Sequence, residues 1–241
     1  MTRVHEVLWT GGWDSTFRVV DLVLTHGAVV QPLYVLNPDR RSAIDEVRAM
    51  RRIRGRLAPR LADPGALRPL RIYAKDDYPV PKHVATRYAA LRRRARTGSQ
   101  YLWLAAVAEH HGWSGVELSI TREDPPGGLH RAVFARPGTA DATLREDDHA
   151  RLFAPWAFPL LAHTKAELGG LARDRGFEDL LLLRHFCFDP VLGRACGRCH
   201  PCRTARREGT TEGVRFASPP LRCARRVARA VASPRSGPRR R

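Results

Sequence analysis

Short apolar runs alternate along the chain with segments that repeat apolar residues at helical spacing. Residues 4–8 and 29–36 are apolar runs typical of buried strands, and Leu70–Tyr73 and Val116–Ile120 predict a third and a fourth strand. Strands that alternate with helices predict a parallel sheet with helices on both faces. The sequence therefore predicts an α/β fold with a doubly wound parallel sheet, whose ligand crevice lies beyond the carboxyl ends of the strands.

The predicted helices follow from apolar spacing and from end signals. They cover residues 15–25, 44–57, 84–91, 100–110 and 164–176. The second is amphipathic, with apolar positions among many arginines, as expected of a helix that covers a sheet. In the last, Thr164 and Glu167 have the spacing of a capping box, in which each side chain satisfies a backbone amide of the first turn.

The segment from Thr121 to Arg151 interrupts this alternation. It contains the run Pro-Pro-Gly-Gly at 125–128, followed by a group of acidic residues. A stretch of this length without secondary structure is either functional or disordered in compact domains. We predict a long loop here, and the sequence leaves open whether it belongs to an active site or is disordered.

Composition divides the chain into three predicted regions. Residues 1–180 are expected to form the α/β domain, residues 181–212 a segment with four cysteines, and residues 213–241 a basic tail that is disordered in isolation. The net charge is +18, and all but three of the 42 basic residues are arginine. Such a surface favours polyanions at low salt, so the tail is either a solvated end or an arm for weak nucleic-acid contact.

Two absences set the expected location. The chain has no run of about 18 apolar residues, and its first residues lack a charged and then apolar signal segment. We therefore expect a cytoplasmic protein without a membrane partner.

The residues that follow the first strand form a candidate phosphate site. The stretch Thr10-Gly11-Gly12-Trp13-Asp14-Ser15-Thr16 joins two glycines to a helix start rich in hydroxyls. Glycines allow a sharp turn with exposed amides, and a helix N-terminus presents unpaired N–H groups to an anion. No lysine follows the glycines as in a Walker loop, and the dinucleotide fingerprint G-x-G-x-x-G is absent. The alternative is an ordinary turn between a strand and a helix.

A second candidate site is the cysteine series Cys187, Cys196, Cys199 and Cys202, with the spacing C-x8-C-x2-C-x2-C. Two-residue spacers turn successive sulfurs towards one centre, which predicts a tetrahedral zinc site. Disulfides and an iron–sulfur cluster remain as alternatives. Cys223 lies outside the series in the basic tail, and His200 is interpreted as a turn residue because four thiolates complete the site.

The N-terminal loop resembles the PP-loop of the ATP pyrophosphatase superfamily, usually written Ser-Gly-Gly-x-Asp-Ser. Together with Thr164-Lys165-Ala166-Glu167 and the series Cys-Gly-Arg-Cys-His-Pro-Cys-Arg at 196–203, it makes residues 4–207 resemble the 7-cyano-7-deazaguanine synthase family. The segment Asp39-Arg40-Arg41-Ser42 with Glu46 is similar to a basic stretch of that family. In the family, ATP activates a carboxylic acid on a 7-deazaguanine ring, ammonia amidates it, and a second activation dehydrates the amide to a nitrile.

This resemblance implies the cofactors ATP, magnesium and zinc, a deazapurine acid or related carboxylate with ammonia as substrates, and a homodimer. It implies catalytic roles for Asp14, Ser15 and Lys165. Asp14 either orients the water shell of magnesium or caps its helix. The implied ATP contacts are Trp9, Thr10, Gly11, Gly12, Trp13, Thr16, Tyr34, Val35, Leu36 and Arg40. Among the phosphate candidates, Arg40 and the neighbouring Arg41 are the weakest. Zinc on four thiolates is expected to hold a C-terminal flap against the active site.

The acceptor half departs from the family pattern. His185-Phe186 replaces the usual Trp-Ser before the first cysteine, Thr121–Pro126 replaces a stretch that bears glycine and acid, and Gly98-Ser99-Gln100 stands near an expected Arg-Asn pair. A different acid substrate is therefore credible. Two other functions remain open: a PP-loop enzyme that modifies a tRNA base, and a zinc-containing nucleic-acid binding protein with a vestigial loop.

Overall fold

A computed structural model describes residues 3–122, 128–207, 209 and 211–221. The chain divides into two compact units, Met1–His185 and Phe186–Arg241. The first unit contains a five-stranded sheet in the order β3-β2-β1-β4-β5. Its strands are β1 Val4–Leu8, β2 Val29–Leu36, β3 Arg71–Ala74, β4 Val116–Glu117 and β5 Trp156–Ala157.

Seven α-helices of the first unit and one of the second are described. They are α1 Trp13–Leu24, α2 Ala43–Leu57, α3 Lys82–Arg94, α4 Gln100–His110, α5 Leu129–Val133, α6 Lys165–Asp174, α7 Glu178–Leu181 and α8 His200–Arg207. None of these helices combines the length and the apolar composition that crossing a bilayer requires.

The sheet is parallel throughout, and its strand order reverses beside β1. β1 pairs with β2 along its whole length, from Val4 opposite Val29 to Leu8 opposite Leu33. On its other side β1 pairs with β4, where Val7 lies opposite Glu117. The gap between β1 and β4 is therefore a topological switch point, where folds of this kind bind ligands. The predicted doubly wound α/β fold is confirmed.

Two apolar layers cover the two faces of the sheet. One layer joins Phe17 of α1, Ile53 of α2 and Phe177, which precedes α7. The other joins Leu91 of α3 and Val107 of α4 to residues from the second half of the unit. Because both faces are covered, the carboxyl edge of the sheet is left for polar groups that meet a ligand.

The segment from Thr121 to Arg151 was predicted to lack regular structure, and this is wrong in part. It contains α5, an antiparallel bridge between Phe134 and Leu144, and the start of a 3-10 helix over Asp148–Phe153. Short elements of this kind carry too few residues for a periodic pattern. Residues 123–127, with the prolines 125 and 126, lie outside the described residues.

The strand at Val116–Ile120 is shorter than predicted, and β5 was not predicted at all. β4 ends at Glu117, and the amide of Ile120 donates to the carbonyl of Leu118 at 2.9 Å, which turns the chain. β5 has two residues, too few for any alternation. Both strands are defined by their neighbours in the sheet and have little signal of their own.

Candidate functional site

The loop after β1 brings the chain from the sheet into the N-terminus of α1. The amide of Trp9 still donates to the carbonyl of Leu33 at 2.8 Å, so strand pairing continues one residue beyond β1. α1 begins at Trp13 with Gly12 as its N-cap. Asp14 therefore lies inside the first turn rather than at the cap, where a carboxylate still interacts favourably with the helix dipole.

Gly11 is the residue that shapes this loop. Its φ of +67° is a backbone conformation that side-chain-bearing residues rarely adopt, and a Cβ there would lie 3.1 Å from the carbonyl oxygen of Glu46 and 3.2 Å from Cγ of Met50. Its own carbonyl accepts a hydrogen bond from the amide of His185 at 2.8 Å. The loop is thus closed between α2 and the last residue of the first unit.

Hydroxyl groups brace the turn from inside. The amide of Thr10 donates to Oγ of Ser15 at 3.3 Å, and the two side-chain hydroxyls are also 3.3 Å apart. The indole N–H of Trp9 donates to Oγ1 of Thr16, which is fully buried, at 3.1 Å. Trp9 and Thr16 therefore hold the loop in shape, while the backbone at the start of α1 faces the crevice.

The carboxyl end of β2 offers backbone groups beside this loop. In a parallel pair, alternate residues direct their N–H and C=O groups to the same neighbour. The carbonyl of Leu33 accepts from the amide of Trp9, so Val35 is the next residue of β2 whose backbone groups are directed towards β1. Beside Val35, β1 has already ended and the chain has entered the loop that begins at Thr10. This places Val35, between Tyr34 and Leu36, where a planar base could meet backbone groups.

The side chain of Tyr34 has a structural role. Its hydroxyl donates to Glu46 at 2.7 Å, and Glu46 also accepts from Ser42 at 2.7 Å. Burial, and secondly the charge of Glu46, raise the pKa of Tyr34 far above its usual range, so it stays a neutral donor. Arg40 approaches the same carboxylate, with Nη1 3.9 Å from Oε1.

A buried ionic cluster that the sequence analysis missed lies at the switch point. Glu117 of β4 accepts from Nε of Arg18 at 2.6 Å and is 2.7 Å from Nδ1 of His5. Burial alone would raise the pKa of Glu117, but the hydrogen bonds from Arg18 and His5 outweigh it, and the pKa is lowered. An acid inside the apolar run of residues 116–120 was the signal that could have identified it.

Replacing Glu117 with glutamine should lower the free energy of unfolding at pH 7 by about 1–3 kcal/mol, because Arg18 loses its charged partner. The folded-state pKa of Glu117 is below its unfolded value. The stability that the Glu117 carboxylate contributes is therefore fully present above the pKa that Glu117 has in the unfolded chain. It is lost as the pH falls through the pKa of Glu117 in the folded protein. Urea denaturation of both proteins between pH 7 and 3 should show the stability gap closing in acid. A gap that stays constant over this range would contradict the assignment.

Lys165 is the first residue of α6 and lies between the two residues of a complete capping box, Thr164 and Glu167. Thr164 accepts from the amide of Glu167 at 3.2 Å, and Glu167 accepts from the amide of Thr164 at 2.8 Å, as predicted. A Cβ on Gly169 would lie 3.6 Å from the ring of Trp13. Lys165 is four residues earlier on α6, so it shares the helix face that is turned to the start of α1.

Two arginines join this region to its neighbours. The amide of Arg122 donates to the carbonyl of His163 at 2.8 Å, and its guanidinium donates to Glu167 at 2.8 Å. The guanidinium of Arg184 lies over the ring of Trp13, 4.6 Å from its centroid. No sequence pattern distinguished Arg122 or Arg184 among so many arginines.

The second unit contains the predicted cysteine cluster. The sulfurs of Cys187, Cys196, Cys199 and Cys202 all lie within 4.8 Å of one another. The distances Cys196–Cys202 and Cys187–Cys199 are both 3.9 Å. Sulfurs on a tetrahedral zinc with Zn–S bonds of 2.3 Å are separated by about 3.8 Å. This cluster could hold a metal ion, and its four sulfurs are not joined by disulfides.

Backbone amides prepare the cluster for anionic sulfur. Cys196 accepts N–H groups from Arg198 at 3.4 Å and from Cys199 at 3.3 Å, and Cys187 accepts from Cys196 at 3.2 Å. Burial raises the pKa of Cys187 to about 12. Burial would also raise the pKa of Cys196, but the backbone N–H groups that donate to its sulfur lower this pKa to about 7. A bound cation would supply the remaining stabilisation that four thiolates need.

No family model matches the chain, and no curated protein does. The solved structures that match include a 4-thiouridine synthetase in complex with RNA and with bound ATP, at 18% sequence identity and a TM-score of 0.39. The alignment covers 86% of this chain and 50% of that chain, so the protein spans about half the length of the matched structure.

Proposed function

We propose that the protein is a PP-loop enzyme that uses ATP to adenylate a carboxylic acid and then joins ammonia to the activated carbon. The observation that carries the proposal is the loop Thr10–Gly12. It is closed by Gly11 against α2 and leads into a helix N-terminus at the switch point between β1 and β4. This arrangement places backbone N–H groups and the positive end of α1 at the expected ligand crevice.

The proposed chemistry follows from the weakness of a carboxylate as an electrophile. A carboxylate oxygen attacks the α-phosphorus of ATP, an acyl adenylate forms, and pyrophosphate leaves. Ammonia then attacks the acyl carbon, loses a proton, and AMP leaves with the bonding electrons, which gives an amide. A second ATP would adenylate the amide oxygen with release of pyrophosphate, and departure of AMP with that oxygen, together with loss of the two N–H protons, would give a nitrile. The family resemblance supports 7-carboxy-7-deazaguanine or a related acid as the substrate.

The residues of the loop have distinct roles in this scheme. The amides of Gly11 and Gly12, with the Ser15 hydroxyl, would hold the departing phosphates and stabilise their growing charge. Asp14, in the first turn of α1, would hold the water shell of a magnesium ion, which neutralises phosphate charge when bound. Lys165 would contact the phosphates or the adenylate from α6. The backbone of Tyr34–Leu36 would receive the adenine.

Zinc would have a structural role at the four cysteines. Four thiolates complete a tetrahedral shell and leave no position for water or substrate. The residues present fit such an ion in ligand type, sulfur separation and N–H donors to sulfur. The chemistry therefore belongs to the first unit.

The proposal is tested by incubating the protein with magnesium-ATP, ammonium and 7-carboxy-7-deazaguanine, and by detecting AMP, pyrophosphate and any amide or nitrile by mass spectrometry. AMP together with the nitrile would support the full proposal. AMP formation only with other carboxylates would support the proposed adenylation but assign a different substrate. Turnover that requires tRNA would instead favour RNA modification, which the net charge of +18 makes the second candidate.

Replacing Lys165 with methionine should lower kcat for AMP formation about 10²–10³-fold, because a preorganised positive charge at the developing phosphate charge is lost. Arginine at the same position should restore part of the activity. Lys82, which is exposed at the start of α3, is the matched control, and Lys82→Met should keep the wild-type kcat. An unchanged kcat in Lys165→Met would remove this residue from the site.

A further inference from the structure

Ser119 lies just beyond the carboxyl end of β4, a strand to which no ligand contact has been assigned. Val7 of β1 is opposite Glu117, the last residue of β4, and Ser119 follows Glu117 by two residues in the turn that leaves the carboxyl end of β4. Trp9 is the residue at which the chain leaves β1 and enters the loop. Ser119 therefore borders the switch-point crevice from the β4 side.

The side chain of Ser119 belongs to the α1 face of the sheet. Glu117 contacts Arg18 of α1, whereas Leu118 and Ile120 pack into the opposite apolar layer. Because Leu118 and Ile120, on either side of Ser119 in the turn, both pack into that layer, we infer that the Ser119 side chain is directed away from it, towards α1.

The start of α1 presents Asp14 and Trp13 to the same region. Asp14 precedes Arg18 by four residues, so the two share a helix face, and the Arg18 guanidinium reaches β4. Trp13 is one residue earlier, next to the N-cap Gly12. The residues that bear this hydroxyl, indole and carboxylate therefore belong to the two segments that border the switch point, the end of β4 and the start of α1.

Two of these groups are buried polar atoms without a hydrogen bond. Oγ of Ser119 and Nε1 of Trp13 have no partner among the residues that the structure describes. An unsatisfied buried polar atom is costly in a folded protein. Such a cost is expected where a ligand completes the hydrogen bonds, and both atoms are donors suited to an anion.

We propose that Ser119 is a further phosphate-binding residue and that Trp13, already an implied ATP contact, acts through its indole N–H, so that the Ser119 O–H and the Trp13 N–H donate to phosphate oxygens held against the loop. This inference rests on the proposed function, because it requires a phosphate ligand at the loop. The phosphate belongs either to the nucleotide part of the substrate or to the departing pyrophosphate. In both cases the recognised chemistry is a non-bridging phosphate oxygen, and Asp14 would face the accompanying cation.

The test compares Ser119→Ala and Trp13→Phe with the wild type by calorimetric titration with magnesium pyrophosphate and with AMP. Each variant should lose affinity about tenfold or more for at least one of the two ligands, as expected for a lost hydrogen bond to a charged group. A loss of affinity for pyrophosphate would assign the contact to the leaving group, and a loss of affinity for AMP would assign it to the α-phosphate. Thermal midpoints of the unliganded variants should be unchanged or higher for Ser119→Ala, because an unsatisfied hydroxyl is removed.

Tyr88→Phe is the matched control. Its hydroxyl is also buried without a partner among the described residues, but it lies on α3 in the opposite apolar layer. This variant should bind both ligands as the wild type does. Wild-type affinities in Ser119→Ala and Trp13→Phe would overturn this inference and leave the proposed function in place. A wild-type protein that binds neither ligand would overturn both.

Discussion

Replacing Gly11 with alanine is expected to abolish nucleotide binding and to lower the free energy of unfolding by about 2–5 kcal/mol. Two costs add at this position. A φ of +67° is strained for any residue with a Cβ. The new methyl would also lie 3.1–3.3 Å from three atoms of α2, at Glu46, Ala49 and Met50.

The backbone carbonyl of Glu46 is one of these contacts, so a side-chain rotation cannot relieve the clash. The loop must move away from α2, and the movement displaces the amides that we propose to bind phosphate. Because backbone amides contribute only when they point at the ligand, a small displacement is enough to lose binding. Stability and binding are therefore expected to fall together.

Denaturant unfolding and titration with magnesium-ATP would measure the two effects. Gly27→Ala is the matched control, since Gly27 has a φ of +59° but no atom within 4 Å of the position that a Cβ would take. It should show only the backbone strain, about 1–2 kcal/mol, with unchanged ATP binding. A Gly11→Ala protein that binds ATP like the wild type would show that this loop is not the phosphate site.

Local signals in the sequence were sufficient to predict the elements that carry them. The loop at residues 10–16, the capping box of Thr164 and Glu167, and the amphipathic helix α2 depend on neighbouring residues, and the structure contains each of them. The four cysteines were also predicted together, because their spacing alone brings the sulfurs close. The assignment of individual ligand contacts stays a prediction.

Contacts distant in sequence were not predictable in this way. Glu117 accepts a hydrogen bond from Arg18, which is 99 residues away in the sequence. The guanidinium of Arg184 lies over the ring of Trp13 only because the end of the first unit returns to α1. The position of Ser119 depends on the pairing of Val7 in β1 with Glu117 at the end of β4, two residues before it. No periodicity of the sequence encodes this pairing. The two-residue strands β4 and β5 are likewise defined by tertiary pairing rather than by propensity.

The cysteine cluster carries the other large expected effect, because three of the six residues that form the buried core of the second unit, among the described residues, are its ligands. The buried apolar cluster there contains Cys187, Val191, Ala195, Cys196, Cys202 and Ala217. Small residues and thiols bury little apolar area, and the larger residues that pack against them, Phe186, Val214, Phe216 and Leu221, are only partly buried, so we expect the metal to supply much of the stability of the unit. For structural zinc sites the binding free energy, about 10–16 kcal/mol, is effectively folding free energy.

Cys202→Ser is therefore expected to lose the metal and to unfold the second unit. Cys202 is fully buried, with its sulfur 3.9 Å from that of Cys196, so a serine hydroxyl there is a poor and misplaced ligand. Metal analysis after dialysis should fall from about one ion per chain to a small fraction. Limited proteolysis should then remove the chain beyond His185, where the two units divide.

Cys223→Ser is the control, because Cys223 lies outside the four-cysteine series and outside the described residues. It should keep its metal and its resistance to protease. The metal found also decides between the two metal-based alternatives: zinc supports the structural site, and iron with inorganic sulfide would indicate a cluster on the same ligands. A folded Cys202→Ser protein with a full complement of zinc would contradict the assigned ligand set, since a tetrahedral site with one ligand removed holds its ion far more weakly.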